Sequence, residues 1–157
     1  NSNEKELWIR SISGSKQFTG GVFDANSLQT EVEYLTQKEI FDLGFVYSTP
    51  KVIGKEWRVV IVGHEIISMS QYMDCGEPST SSKVTISVKT FANKWMEKHK
   101  MMFPESYVLD ICEFGDDYKV VEVNNLLTSG WYDCDVRLIV DSITKHVCDT
   151  SQEWGYR

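Results

Sequence analysis

Residues Tyr107–Asn124 have the sequence Tyr-Val-Leu-Asp-Ile-Cys-Glu-Phe-Gly-Asp-Asp-Tyr-Lys-Val-Val-Glu-Val-Asn. Two apolar runs on either side of a Gly-Asp-Asp turn predict a β-hairpin. Asp110 lies in the first run. Glu122 and Asn124 lie two residues apart in the second, so they project from the same face of their strand. If the turn centres near Asp116, Asp110 lies opposite Glu122, and three oxygen-bearing side chains meet at one place on the sheet.

These three side chains predict a metal site. Two carboxylates and an amide are hard oxygen ligands, which suit Mg²⁺ held together with a substrate phosphate. The alternative is that the acidic residues lie on the solvated face of an ordinary hairpin. Asn124 favours the functional interpretation, because Asn and Asp are depleted in strands. We therefore predict that Asp110, Glu122 and Asn124 bind a metal ion beside a site of phosphoryl chemistry.

Length and charge limit the classes of function. At 157 residues the chain is about one domain long and can bury roughly two-thirds of its unfolded surface. Its 16 basic and 23 acidic residues give a net charge of −7, which argues against binding along a nucleic-acid backbone. No apolar run approaches the roughly 18 residues of a membrane span, and no secretory signal is visible, so we expect no membrane partner.

The cysteines and the first residue concern the cellular context. Four cysteines, at positions 75, 112, 134 and 148, lack the spacing of metal ligands. Free thiols in a reducing compartment are favoured over disulfides. The chain begins with Asn rather than Met, so we expect a trimmed chain or a fragment, and a preceding N-terminal domain that is missing here remains open.

Further strands and hairpins are predicted along the chain. Predicted strands cover residues 7–12, 22–23, 45–48, 56–62 and 65–72, besides the two of the hairpin described above. Gly63-His64 is a tight hairpin signal between two of them. Residues 74–82 are predicted to form a loop. Strands interrupted by helices indicate an α+β chain with an antiparallel sheet.

Three helices are predicted. The first covers residues 27–42 with Ser27 as its N-cap. The second covers residues 83–100, with a buried stripe of Val84, Val88, Phe91, Ala92, Trp95 and Met96. The third is capped by Asp133, and its apolar face is Val136, Ile139, Val140, Ile143 and Val147. Residues 150–157 are predicted to be a loose tail.

A glycine-bearing loop follows the first strand. Arg10 and Lys16 lie on either side of Ser13-Gly14-Ser15. A small-residue loop flanked by cations can close over a polyphosphate with its backbone N–H groups. The alternative is that both cations are ordinary surface residues. The loop is not a Walker A motif, because the spacing and the Lys-Ser/Thr pair are absent.

The segment Glu56-Trp57-Arg58 opens the strand before Gly63. Glu56 and Arg58 share one face of that strand, while Trp57 points to the other face and into the core. An Arg on a rigid strand can clamp a phosphoryl or acyl-phosphate oxygen bidentately. A Glu beside it can accept hydrogen bonds from ribose hydroxyls. The alternative is a cross-strand ion pair on a solvated surface.

Taken in order, these blocks resemble the ATP-grasp family. They look most like its phage- and bacteria-associated clade, which is distinguished by two arginines and one lysine. The matching segments are 8–10 with 13–20, 56–58 leading to 70–72, Leu109-Asp110 through 121–124, and 130–132. The resemblance spans roughly residues 7–143.

The resemblance implies a fold and an activity. The ATP-grasp fold has two small α+β lobes with antiparallel sheets that grip a nucleotide. Here the first lobe would cover about 7–52, the second about 53–148, and a tail 149–157. ATP and Mg²⁺ would be bound, and a substrate carboxylate would be phosphorylated to an acyl phosphate that an amine then attacks. The expected enzyme is a carbon–nitrogen ligase in a bacterial or phage-infected cytoplasm, acting on a small molecule, peptide or protein.

The resemblance also implies residue roles. Arg10 and Lys16 would contact the phosphates of ATP, Glu56 its ribose, and Arg58 the transferring phosphoryl group. Lys16 and Arg58 are the expected catalytic residues, and the expected metal ligands are those of the hairpin. The adenine would lie against the segment that contains Tyr47, Ser48, Thr49 and Lys51.

Two further functions remain open from sequence. An ATP-grasp phosphotransferase would have the same nucleotide site. A non-catalytic nucleotide-binding or interaction module would have lost its substrate half. The sequence also departs from the family pattern after Asn124, because the run to Gly130 lacks the Pro that often follows the metal-binding Asn.

Overall fold

The computed structural model describes residues 6–12, 20–37 and 44–153 of the chain. It divides into two compact units, Asn1–Lys51 and Val52–Arg157. Both units contain an antiparallel sheet and at least one helix. The predicted α+β class is therefore confirmed.

The first unit has a three-stranded sheet with one helix. Its strands are β1 (Leu7–Ser11), β2 (Gly21–Phe23) and β3 (Phe45–Ser48), in the antiparallel order β2-β1-β3. The helix α1 covers Ala25–Gln37, and the predicted continuation to residue 42 falls outside the described residues.

The predicted N-cap of α1 is wrong. Asp24 caps the helix, because its Oδ1 accepts from the Ser27 backbone N–H at 2.8 Å. Ser27 Oγ accepts in return from the Asp24 N–H at 2.9 Å. This reciprocal arrangement satisfies two N–H groups at once, so the helix begins two residues before Ser27.

The second unit has a five-stranded antiparallel sheet. Its strands are β4 (Lys55–Val62), β5 (Glu65–Asp74), β6 (Glu77–Ser81), β7 (Tyr107–Phe114) and β8 (Asp117–Asn124), in the order β6-β5-β4-β7-β8. Gly63 and His64 both adopt left-handed backbone angles, with φ of 59° and 60°. These angles match the two-residue turn predicted between β4 and β5.

The loop predicted over residues 74–82 is wrong, because β6 lies within it. Cys75 and Gly76 have φ of 50° and 84°, so they form a second tight turn that returns the chain along β5. The strand after this turn, Glu-Pro-Ser-Thr-Ser, is polar and lies at the edge of the sheet. An edge strand needs no apolar alternation, so sequence periodicity does not detect it.

The helix α2 (Ile86–His99) covers one face of the large sheet. It packs on Trp57, whose side chain is buried as predicted, and on neighbouring strand residues. The predicted stripe of α2 is confirmed, since Val88, Ala92 and Met96 are buried and Val84, Phe91 and Trp95 are partly buried against the same core. A short 3-10 turn, Lys100–Met102, then leads to β7.

The helix α3 (Val136–Glu153) packs on the opposite face, against Val60, Val62 and Val108. Asp135, not Asp133, caps it, because Asp135 Oδ1 accepts from the Leu138 N–H at 2.9 Å. The helix continues to Glu153, so the loose tail predicted from residue 150 is wrong over residues 150–153. Of the predicted apolar face only Ile139 is fully buried, whereas Val136, Val140 and Val147 are about half exposed.

Two features bear on the cellular context. All four cysteines are free, with Cys112 and Cys134 buried and Cys75 and Cys148 exposed. Among the described residues, no helix is both long and apolar enough to cross a membrane.

Candidate active site

A row of polar side chains crosses four strands of the large sheet. Ser70 on β5 pairs with Arg58 on β4, Arg58 with Asp110 on β7, and Asp110 with Glu122 on β8. The predicted register of the hairpin is therefore confirmed. Period-two alternation places this row on the face that α3 covers, whereas Trp57 belongs to the core on the α2 face.

Arg58 and Asp110 form a buried bidentate ion pair. Arg58 Nε donates to Asp110 Oδ1 at 2.9 Å, and Nη2 donates to Oδ2 at 2.7 Å. The two residues are 7% and 1% exposed, so the surface pair considered from sequence is wrong. Burial lowers the pKa of Arg58, but the hydrogen bond and the charge of Asp110 outweigh it and raise that pKa overall. The guanidinium remains charged at every relevant pH.

Asn124 connects the two carboxylates of the hairpin. Its Nδ2 donates to Glu122 Oε1 at 2.8 Å and to Asp110 Oδ2 at 3.3 Å. The structure thus brings together the three residues that the sequence predicted as metal ligands, and Arg58 with them. Their role as ligands stays a prediction.

Glu56 adds a third carboxylate to the same face. Its Oε2 accepts from the Tyr72 hydroxyl at 2.7 Å. Burial raises the pKa of Glu56, the Tyr72 hydrogen bond opposes this, and the charges of Asp110 and Glu122 raise it further. Burial also raises the pKa of Tyr72, as do the charge of Asp110 and the bond to Glu56. The ionised carboxylate is therefore held at an energetic cost by its surroundings.

Two tyrosines and a carbonyl complete the surroundings of Arg58. The Tyr72 and Tyr132 rings stack at 4.9 Å, and the guanidinium lies 5.4 and 4.9 Å from their centroids. Arg58 Nη1 donates to the Gly130 carbonyl at 2.7 Å. The resemblance includes both tyrosine segments, but sequence reasoning assigned neither ring a role. The signal was the strand period, which puts Tyr72 on the same face as Ser70.

The remaining predicted residues lie in the first unit or outside the described residues. Arg10 is half-buried on β1, where it pairs with Val46 of β3. Lys16 lies outside the described residues.

The predicted adenine segment begins at the end of β3, with Tyr47 67% exposed. Ser48 Oγ donates to the Thr49 carbonyl at 3.1 Å. Lys51 Nζ donates to Thr49 Oγ1 at 2.8 Å. The roles of these residues stay predictions.

The donor set fits a hard divalent cation. Three carboxylates, of Glu56, Asp110 and Glu122, lie near the single guanidinium of Arg58, and the charges of the latter two disfavour ionisation of Glu56. A divalent cation would offset this excess of negative charge, and its preferred ligands are such oxygen atoms. The described residues hold no group of three or more acidic, histidine or cysteine side chains placed for a metal. The fit therefore rests on two carboxylates and an amide.

Family comparison identifies the fold. A model of the ATP-grasp domain, family 2 of the clade named after two arginines and one lysine, matches residues 1–141. The chain belongs to this family, and the resemblance inferred from the sequence is confirmed. A comparison with curated proteins found no match.

Solved ATP-grasp ligases share the fold at low identity. D-alanine–D-alanine ligase from Bacillus anthracis is 15% identical with a TM-score of 0.66, and the match covers 94% of this chain and 56% of that protein. The ATP complex of that ligase is 16% identical with a TM-score of 0.65, covering 98% and 57%. The ligase PsnB, complexed with a precursor variant, Mg and ADP, is 11% identical with a TM-score of 0.57, covering 92% and 46%. The chain spans about half the length of these proteins.

Proposed function

We propose that this chain is the ATP-grasp part of an ATP- and Mg²⁺-dependent carboxylate–amine ligase. One observation supports the proposal most strongly: the buried Arg58–Asp110 pair continues on the same sheet face into Glu122 and Asn124. A fixed guanidinium beside hard oxygen ligands suits the binding of a polyphosphate and its counter-ion.

The reaction has two steps. A carboxylate oxygen of the acid attacks the γ-phosphorus of ATP, which forms an acyl phosphate and releases ADP. The amine then attacks the carbonyl carbon, loses a proton, and displaces inorganic phosphate as the C–N bond forms. Phosphorylation is needed because a carboxylate is a poor electrophile. The protein contributes positioning and charge stabilisation, so no general base is obligatory.

Each residue has a stated role in this proposal. Arg58 stabilises the charge on the phosphoryl group and on the acyl phosphate. Glu56 accepts hydrogen bonds from the ribose, and Arg10 and Lys16 contact the phosphates. The adenine lies against the segment from Tyr47 to Lys51.

Asp110, Glu122 and Asn124 would hold Mg²⁺. When bound, this ion would neutralise phosphate charge that one guanidinium leaves uncompensated. Both oxygens of Asp110 already accept from Arg58, so the guanidinium and a metal ion would share this carboxylate.

The substrates and the location follow from weaker observations. We propose a carboxylate and an amine of a small molecule, peptide or protein, and a cytoplasmic location in a bacterial or phage-infected cell. The four free cysteines agree with a reducing compartment.

A thermal-unfolding experiment tests nucleotide binding. A non-hydrolysable ATP analogue with Mg²⁺, at 100 times its Kd, should stabilise the protein by about 2.7 kcal/mol. Glu122→Ala should lose most of this shift, because it removes a proposed metal ligand. The control is Asp117→Ala, which removes an equal charge from the same strand at a side chain 82% exposed, and it should keep the shift. No shift in the wild type would reject every nucleotide-using function.

A product assay separates the ligase from its alternatives. ADP should be released only when a carboxylate and an amine are both supplied, and hydroxylamine should trap the acyl phosphate across a panel of acids. ADP release with an acceptor hydroxyl alone would indicate a phosphotransferase. Nucleotide binding without turnover on any acid would indicate a non-catalytic module.

A further inference from the structure

The stacked tyrosine pair beside Arg58 comes from two distant parts of the chain. Tyr72 lies near the end of β5, and Tyr132 lies in the loop before α3. Their ring planes are 11° apart. The Tyr72 ring is also fixed at its other end, because its hydroxyl donates to Glu56. Tyr132 therefore packs against a rigid neighbour.

The guanidinium of Arg58 forms the third corner of this cluster. Its three nitrogen atoms donate to Asp110 and to the Gly130 carbonyl, so hydrogen bonds already direct its edge. The two aromatic rings contact it within 5.4 Å of their centroids. Aromatic faces attract a cation through their quadrupole, but they carry no net charge and do not neutralise it. The rings can orient the cation and leave its charge for an anionic partner.

Packing alone does not account for Tyr132. The residue is 50% exposed, so it buries only part of its ring. Its φ of 47° lies in the left-handed region, which side chains with a Cβ rarely adopt and which is found where the surroundings impose it. The Gly130 carbonyl two residues earlier is anchored on Arg58. Both ends of this short segment thus contact the same guanidinium.

We infer that Tyr132, stacked on Tyr72, is a positioning residue that holds the Arg58 guanidinium in place for a phosphoryl oxygen. This inference rests on the proposed function for its ligand. An oxygen of the terminal phosphates would compete with Asp110 for the N–H groups of Arg58. Without the rings, a guanidinium released by one carboxylate oxygen would gain rotamer freedom, and phosphate binding would have to remove that freedom again.

The test separates the holding of Arg58 from the binding of nucleotide. Tyr132→Leu removes the aromatic face and keeps an apolar side chain, whereas Tyr132→Phe keeps the ring. The matched control is Tyr34→Ala on α1, where the side chain is 53% exposed. In protein labelled with ¹⁵N-arginine, solvent exchange of the Arg58 Nε–H should accelerate several-fold in Tyr132→Leu without any ligand. It should stay unchanged in the other two variants.

Calorimetry tests the purpose of the holding. With Mg²⁺, Tyr132→Leu should weaken a non-hydrolysable ATP analogue about 5- to 10-fold, and AMP, which lacks the terminal phosphates, by less than about 2-fold. A residue with only a structural role would lower both affinities equally, and that result would overturn the inference, as would unchanged Nε–H exchange. If the wild type binds no ATP analogue, the proposed function fails, and the exchange measurement still decides whether Tyr132 holds Arg58.

Discussion

Removal of the Asp110 carboxylate should strongly destabilise the second unit. Asp110→Ala breaks two charge-assisted hydrogen bonds at 2.9 and 2.7 Å, each worth about 1.5–3 kcal/mol. It also leaves the guanidinium of Arg58, which is 7% exposed, without its counter-ion. Breaking one partner of a buried pair typically costs about 3–5 kcal/mol. In a chain of this size, that loss lowers Tm by about 10–15 °C.

Urea unfolding without nucleotide, followed by circular dichroism, measures this loss. The control is Glu97→Ala, which breaks the Lys100–Glu97 pair at 3.1 Å between side chains 44% and 61% exposed. A surface pair of this kind contributes about 0–1 kcal/mol. The free energy of unfolding should therefore fall far less in the control than in the Asp110 variant.

A double variant tests the physical reason. Because the cost arises from an uncompensated buried charge, replacing both partners by apolar residues should recover much of it. Arg58→Met with Asp110→Leu should be more stable than Asp110→Ala alone. The reasoning is refuted if Asp110→Ala stays within about 1 kcal/mol of the wild type, or if the double variant is the least stable of the set.

Three further predictions concern stability. Burial raises the pKa of Glu56, so its ionised form is disfavoured in the folded state and stability is lost as pH rises through the window above its ordinary value. Glu56→Gln should therefore exceed the wild type in free energy of unfolding at pH 7, and the difference should shrink as pH falls towards 4.5; a constant difference from pH 4.5 to 7 would contradict this. Gly63→Ala should cost about 1–2 kcal/mol in urea unfolding, because φ is 59° and a Cβ would lie 3.1 Å from His146 Nδ1; an unchanged midpoint would argue against the turn. Ile139→Ala, at a fully buried position, should cost about 2–4 kcal/mol, whereas Val147→Ala, at a position 56% exposed, should cost well under half of that; equal losses would show that α3 packs differently.

Local sequence patterns predicted the hairpins well. The Gly63-His64 and Gly115-Asp116 turns and the alternation of the flanking residues are short-range features, so they set the register that brings Asp110 opposite Glu122. The strand period likewise separated Trp57 from its two polar neighbours. Boundaries were less predictable where a single side chain decides them, as Asp24 and Asp135 do at the starts of α1 and α3.

The contacts of the candidate site divide in the same way. Residue order and strand period alone determined which side chains share a face, because alternation in a strand is a local property of the backbone. Only the tertiary structure decided that Arg58 is buried with Asp110, from 52 residues away, and stacked beside Tyr132. These contacts depend on the strand order β5-β4-β7-β8 and on the path of the loop before α3. Long-range packing selects both of these, and no local pattern encodes them.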